Sequence, residues 1–190
     1  MASENKDISF RLRKDFEIDG VKLINFVNLS EDEKRMVLKW RNSRRVRKWM
    51  FNSEPISESE HFSFIERLKM DNRNFYWVAE IDGTPTGVVY FQKVDVINKS
   101  SYLGIYSVRK GNGKLMLGNL MRLWFDVLKM CFLKCEVLEG NERAFRLYKD
   151  LGFEVDNSSA HTIIREGETV KVISLKVERH NYEVHYAKAY

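Results

Sequence analysis

The sequence predicts an α/β fold, one mixed and twisted sheet with helices on both faces. Three observations carry this reading. Residues 75–81 and 87–94 are strand patterns joined by Asp82-Gly83, a hairpin turn, so the early strands pair antiparallel. A strand pattern at residues 101–108 runs through a glycine turn into apolar positions at helical spacing: Leu115, Leu117, Leu120, Met121, Trp124, Val127 and Leu128. Residues 133–138 follow as a strand, and a strand–helix–strand run of this length makes its two strands parallel.

The remaining elements follow in order. Ile8, Phe10 and Leu12 alternate, and Asp19-Gly20 can close a hairpin with residues 21–27; residues 1–20 therefore form an extension, either an added strand or a flexible tail. Residues 22–29 are the next strand. Ser30 and Glu33 make a capping box that opens a helix with Met36, Val37 and Trp40 on its inner face. The helical pattern weakens at Asn42-Ser43, although the basic stretch beyond can stay helical. A loop at 51–55 leads to Ser57, which opens a helix with His61, Phe62, Ile65 and Leu68 on one side. Residues 161–166 and 170–177 make a last hairpin around Glu166-Gly167-Glu168, and residues 179–190 read as a polar tail. One domain at 21–178 is expected, since 190 residues suffice for a single sizeable core.

Composition excludes several classes. No apolar run approaches the roughly 18–20 residues a membrane helix needs. The polar start, with Glu4, Lys6 and Asp7, does not read as a signal peptide, so a cytoplasmic protein is expected. Cys131 and Cys135 are no CxxC, and with four histidines they show no metal-ligand spacing, so no metal is expected. Arg35, Lys39, Arg41, Arg44, Arg45, Arg47 and Lys48 concentrate the net charge of +5. This run is either a solvated helix face or an electropositive rim for a phosphorylated ligand. Trp40 and Trp49 interleave it, yet no nucleic-acid-binding motif accompanies them, and no nucleic-acid partner is expected.

Two stretches carry chemistry. Between the strand at 101–108 and its helix lie Arg109, Lys110, Gly111, Asn112, Gly113 and Lys114. Free N–H groups at a helix start, glycines that admit close approach and three cations make a phosphate site, while plain turn glycines would give the same pattern. Neither a Walker loop nor a complete GxGxxG is present. Further on, Asn141 opens a helix that places Ala144 and Tyr148 on one face, and Gly152-Phe153 ends it. The phenol is then either a core residue or a positioned proton donor.

Together these stretches resemble the GNAT superfamily of N-acetyltransferases over residues 22–178. The family order is strand, pyrophosphate loop, helix, strand, then a helix carrying Asn, Ala, Tyr and Gly-Phe. The chain departs from the family loop Gln/Arg-x-x-Gly-x-Gly/Ala, with Val108 at its first position and a loop about two residues short. The resemblance implies a GNAT fold whose two central parallel strands splay apart, with acetyl-CoA in the gap. Leu103, Ile105, Tyr106 and Val108 to Lys114 would hold this cofactor, with Asn141 and Ala144 beside its pantetheine arm. Tyr148 would be the general acid. Glu136, a carboxylate in an apolar strand, is either a general base or the partner of Lys134 or an arginine.

A narrower likeness concerns the acceptor. Trp40-Arg41-Asn42, Trp49-Met50 and Glu60-His61-Phe62 resemble the N-acetyltransferases of pseudaminic acid biosynthesis. That branch implies the 4-amino group of UDP-4-amino-4,6-dideoxy-N-acetyl-β-L-altrosamine as acceptor, a homodimer, and a product used to glycosylate flagellin or surface polysaccharide. Arg41 would pair with the diphosphate, His61 would bond phosphate or sugar, Trp49 or Tyr90 would stack on uracil, and Asn42 and Met50 would complete the pocket. Peptide or ribosomal-protein N-terminal acetylation, and a non-catalytic CoA-binding module, are the alternatives.

Overall fold

Strands that are apolar on both sides need cover on both sides, and the central strands here are of that kind. The computed structural model describes residues 2–187, and the side chains of residues 7–185. In chain order, α1 (Ala2–Leu12) leads to β1 (Phe16–Ile18), β2 (Val21–Asn25), a 3-10 turn (Phe26–Asn28), α2 (Glu31–Asn42), α3 (Arg44–Arg47) and α4 (Glu58–Leu68). There follow β3 (Phe75–Ile81), β4 (Thr84–Asp95), β5 (Ser100–Ser107) and α5 (Gly113–Arg122), which continues as a π-helical turn (Leu123–Val127). The chain closes with β6 (Phe132–Leu138), α6 (Glu142–Lys149), β7 (Glu154–Val155), β8 (His161–Arg165), β9 (Glu168–Glu178) and α7 (Arg179–Ala187).

Among the described residues the strands form one mixed sheet in the order β1-β2-β3-β4-β5-β6-β9-β7, with β8 also on β9. Every pair is antiparallel except β5 with β6. Asp19-Gly20, Asp82-Gly83 and Glu166-Gly167 turn the hairpins with both residues at positive φ, the geometry that fits strand twist.

The pleat sorts side chains between two cores. Phe75, Trp77, Val89, Phe91, Leu133, Cys135 and Val137 join the larger one, under the helical residues Leu12, Met121, Trp124, Tyr148 and Tyr182. Val78 and Val88 face the smaller one, with Val37 of α2 and Ile65 and Leu68 of α4; Tyr76, Tyr90 and Tyr106 pack against it. The capping boxes of Ser30 with Glu33 and of Ser57 with Glu60 are both formed, so the two helices of this face start where the sequence predicts.

Three expectations are corrected. Residues 2–12 are a helix, not a strand or flexible tail; Ile8 and Leu12 are one turn apart and Leu12 is fully buried, whereas Phe10 is exposed. The strand expected over 22–29 stops at Asn25, whose side chain accepts from the Val27 amide and starts the 3-10 turn. The expected polar tail folds as α7 over residues 179–187, while residues 188–190 lie outside the described residues. Tyr182 anchors that helix, stacked 4.6 Å from the Phe125 ring and donating to Asp126 at 2.6 Å. Replacing Leu12 by Ala is expected to destabilise the fold by about 2–5 kcal/mol in denaturant titration; a loss below about 0.5 kcal/mol, the scale of a surface substitution, would show that α1 does not share the core.

Candidate active site

The parallel pairing of β5 and β6 stops almost as soon as it starts. Only Ser100, Ser101 and Tyr102 pair, with Phe132, Leu133 and Lys134. Beyond them β5 stays on β4 as far as Ser107, and β6 stays on β9 as far as Leu138. The two strands therefore diverge, and β5 presents main-chain polar groups to a gap instead of a partner. A cleft of about 780 Å³ opens there, lined by residues 102–107 of β5, Glu136, Val137 and Leu138 of β6, and Asn141, Ala144, Leu147 and Tyr148.

One end of the cleft meets the glycine turn. Gly111 has φ +89°, so the turn needs a residue without a Cβ penalty. Asn112 precedes α5 but gives its helix no side-chain cap. The first helical bond runs from the Met116 amide to the Asn112 carbonyl at 3.0 Å, which leaves the amides of Gly113, Lys114 and Leu115 ahead of the ladder. Gly113 sits against α6: a Cβ there would lie 3.2 Å from Leu147. Arg109, Lys110, Gly111 and Lys114 are exposed on the rim. Val108 is not available to an anion, since its amide donates to Thr86 O at 2.9 Å and its carbonyl accepts from Arg45 at 3.2 Å. The Arg109 amide turns back onto the Ser107 hydroxyl at 3.3 Å. Anion-holding capacity is thus shifted to the amides that follow.

On the cleft's floor, Asn141 caps α6 by accepting from the Ala144 amide at 3.3 Å. Tyr148 is buried, with its ring edge on Phe153 at 5.3 Å. Its hydroxyl has no hydrogen-bond partner among the described residues, and the side chain lines the cleft. Burial, and then the nearby Cys135 and Tyr90, push its pKa well above the usual phenol value, so the proton stays on. Glu136 projects on the opposite face of β6 from Cys135, toward the side of Tyr90 and Tyr106. No ion pair or hydrogen bond among the described residues engages its carboxylate, so neither Lys134 nor an arginine is its partner.

The other half of the cleft is built by α2, α3, the loop after them, and the tyrosines of β3–β5. Tyr76 stacks on Tyr90 at 4.9 Å, and Tyr90 lies across Gly104, where a Cβ would collide with its ring. Burial raises the pKa of Tyr90 to about 12 and that of Tyr106 further, so both present neutral hydroxyls. Because one face of Tyr90 already carries Tyr76, Tyr90 is no free platform for uracil. Above them sits Arg41. Its Nη2 donates to the Asn52 carbonyl at 2.8 Å, whereas its Nη1 is buried without any hydrogen-bond partner. Burial lowers its pKa, an effect partly offset by Tyr106 and Tyr90.

Two expected ligands are engaged elsewhere. Asn42 donates to Ile56 O at 2.8 Å and accepts from its amide at 2.9 Å, which staples the 52–57 loop and takes the side chain out of the cleft lining. His61 lines the cleft, but its Nε2 bonds the Lys34 carbonyl at 3.1 Å. A carbonyl only accepts, so Nε2 holds the hydrogen, and burial lowers the ring's pKa. His61 is a neutral tie between α4 and α2, with no spare donor for phosphate. Trp49 and Met50 do line the cleft, with the Lys48 ammonium 4.9 Å over the Trp49 ring. The sequence reading missed Tyr76 and Gln92, whose amide donates to the Tyr76 hydroxyl at 2.5 Å, and Arg165, which reaches the loop from β8. The facing register of Tyr76 and Tyr90 would have revealed the first pair.

Residues 24–154 match the acetyltransferase (GNAT) domain family. The chain belongs to the GNAT acetyltransferases. It is 31% identical to the acetyltransferase PseH of Campylobacter jejuni over 137 residues, 71% of this chain and 85% of that one. The crystal structure of C. jejuni N-acetyltransferase PseH in complex with acetyl coenzyme A superposes with a TM-score of 0.61 at 25% identity, over 82% of this chain and 98% of that one. In fold alone it is also similar to Vibrio cholerae spermidine N-acetyltransferase in complex with CoA and spermine, with a TM-score of 0.75 at 19% identity over 87% and 99% of the two chains. The protein is an acetyl-CoA-dependent N-acetyltransferase. Its residues fit that cofactor, since the unpaired edge of β5 and Gly113, at the uncapped start of α5, line one continuous cleft, with Gly111 of the glycine turn exposed nearby. Among the described residues no helix is long and apolar enough to cross a membrane, and no His/Cys/Asp/Glu group could hold a metal.

Nothing lies within 4 Å of where a Cβ on Gly111 would be, so Gly111→Ala strains only the backbone. It is expected to weaken acetyl-CoA binding about tenfold in calorimetry, the equivalent of about 1.4 kcal/mol. Unchanged affinity would remove the turn from the cofactor site.

Proposed function

We propose that the protein acetylates the amine of a UDP-linked amino-deoxy sugar, the 4-amino group of UDP-4-amino-4,6-dideoxy-N-acetyl-β-L-altrosamine. The observation that carries this reading is Arg41, a half-buried cation with an unsatisfied donor in the acceptor half of the cleft. A buried donor without a partner costs about 1–3 kcal/mol, and an anionic ligand is what would relieve it. Arg45 and Lys48 add positive charge nearby; of the acidic residues of the lining, Glu142 lies on α6 at the cofactor side and Glu136 faces the acceptor tyrosines, so the cations outnumber it there. A diphosphate suits that half; a polyamine or a basic peptide does not. Trp49 is the residue left to stack on the base. The kinship with PseH supports the same reading. Residues 21–178 are the catalytic unit in this account, which works as a homodimer in the cytoplasm.

The chemistry is direct attack on the thioester that acetyl-CoA supplies. Glu136, through a water, takes the proton of the attacking amine as its nitrogen bonds the acetyl carbon. Main-chain amides of residues 103–106 hold the charge that develops on the carbonyl oxygen. Tyr148 delivers its phenolic proton to sulfur as the carbon–sulfur bond breaks, and solvent restores that proton. A pKa raised by burial keeps Tyr148 in the protonated form this role requires.

Tyr148→Phe is expected to lower kcat by about 10²–10⁴-fold with little change in KM. In the wild-type pH profile, no descending limb below pH 10 should disappear in that variant; such a limb would contradict a protonated Tyr148. Thiol release from acetyl-CoA is expected with the UDP-amino-sugar and not with spermidine. Absence of UDP-sugar binding at millimolar concentration in calorimetry would overturn the acceptor reading.

A further inference from the structure

The acceptor half of the cleft is walled by a segment with little secondary structure of its own. α3 is a single turn, Arg44–Arg47, and residues 48–52 after it belong to no helix or strand. Its last amides bond backward, Trp49 to Val46 O at 3.0 Å and Met50 to Arg47 O at 3.0 Å, which leaves the carbonyls of Lys48 and Met50 pointing onward. Both are taken by one side chain from the far end of the chain. Arg165, the last residue of β8, donates from Nε to Met50 O at 3.1 Å and from Nη2 to Lys48 O at 3.0 Å. The guanidinium thus grips the two carbonyls that flank Trp49, whose side chain lines the cleft.

Several features separate this grip from an incidental surface contact. The Arg165 side chain is only 16% exposed, and Glu166 lies 3.4 Å from its Nη2, which steadies the fork without replacing the carbonyls. A cation at the negative end of a helical turn is electrostatically favoured. The fork reaches the two carbonyls from two nitrogens in fixed geometry, which a lysine cannot reproduce. The same segment is held at its other end, where Arg45 donates to Val108 O at the mouth of the glycine turn. The wall is therefore suspended between the cofactor loop and the terminal hairpin.

We propose that Arg165 is a positioning residue for the acceptor. It touches neither the cofactor nor the reacting atoms, and it sets the place of Trp49 and Met50 through their main chain. The inference rests on the assignment of this half of the cleft to the acceptor, and not on which amine the acceptor is. Losing the fork should weaken acceptor binding and leave the chemical step alone.

The test compares wild type, Arg165→Ala and Arg165→Lys in steady-state kinetics, with the UDP-amino-sugar or, if wild type does not turn it over, whichever amine it does acetylate. Failure of the sugar reading is then visible in wild type alone. The KM for the acceptor is expected to rise about tenfold in Arg165→Ala, the effect of losing roughly one charge-assisted hydrogen bond. Arg165→Lys should recover little of it. kcat and the KM for acetyl-CoA should stay within about twofold, while amide exchange of residues 48–52 accelerates. An acceptor KM within about twofold of wild type, with or without faster exchange, would overturn the proposal. So would a rise in both KM values with a fall in melting temperature, which marks a structural role only. If Arg165→Ala does not fold, Arg165→Lys is judged by the same criteria.

Discussion

Two parallel strands that pair over three residues and then part are the constraint on which the rest of this structure depends. Buried main-chain groups are nearly always satisfied, so a strand left open on one edge inside a fold needs a reason. Here each strand is fully held on its other side, β5 by β4 and β6 by β9, so the gap is enforced by the sheet. Its edges carry the polar groups of residues 103–107 on one side and Glu136 on the other. Tyr148 comes from the larger core and Glu136 faces the smaller one, so acid and base approach the gap from opposite faces of the sheet.

The acceptor half is a second layer laid over that gap. Beside the apolar packing of α2 and α4, it is fixed by side-chain bonds to the main chain: Asn42 on Ile56, Arg41 on Asn52, Arg45 on Val108 and Arg165 on Lys48 and Met50. Such a layer is held by directional contacts at a few points, and local opening costs less there than in the sheet. That arrangement suits a wall that must admit a bulky acceptor and then locate it.

Much of this was legible in the chain, for identifiable reasons. Ser30 with Glu33 and Ser57 with Glu60 are local signals and were realised as capping boxes. The helix stop at Gly152 takes its left-handed conformation, φ +87°, as the spacing predicts. Ile8 and Leu12 misled, because positions 8, 10 and 12 satisfy a strand period while 8 and 12 alone satisfy a helical one; the exposed Phe10 decides between them. Tyr182 gave no periodic signal, so α7 was invisible until Phe125 and Asp126 were placed beside it. In the site, the residue types were readable but their commitments were not. His61 and Asn42 look like ligands in sequence and spend their polar atoms on Lys34 and Ile56. Arg165 lies 115 residues from Met50, and no local pattern could join them.

The most direct measurement is amide exchange of the protein with and without acetyl-CoA, read residue by residue. Protection is expected to appear at residues 103–107, on the open edge of β5, and at residues 113–115, at the start of α5. Protection confined to other parts of the surface, with β5 unchanged, would contradict a cofactor held between the diverging strands.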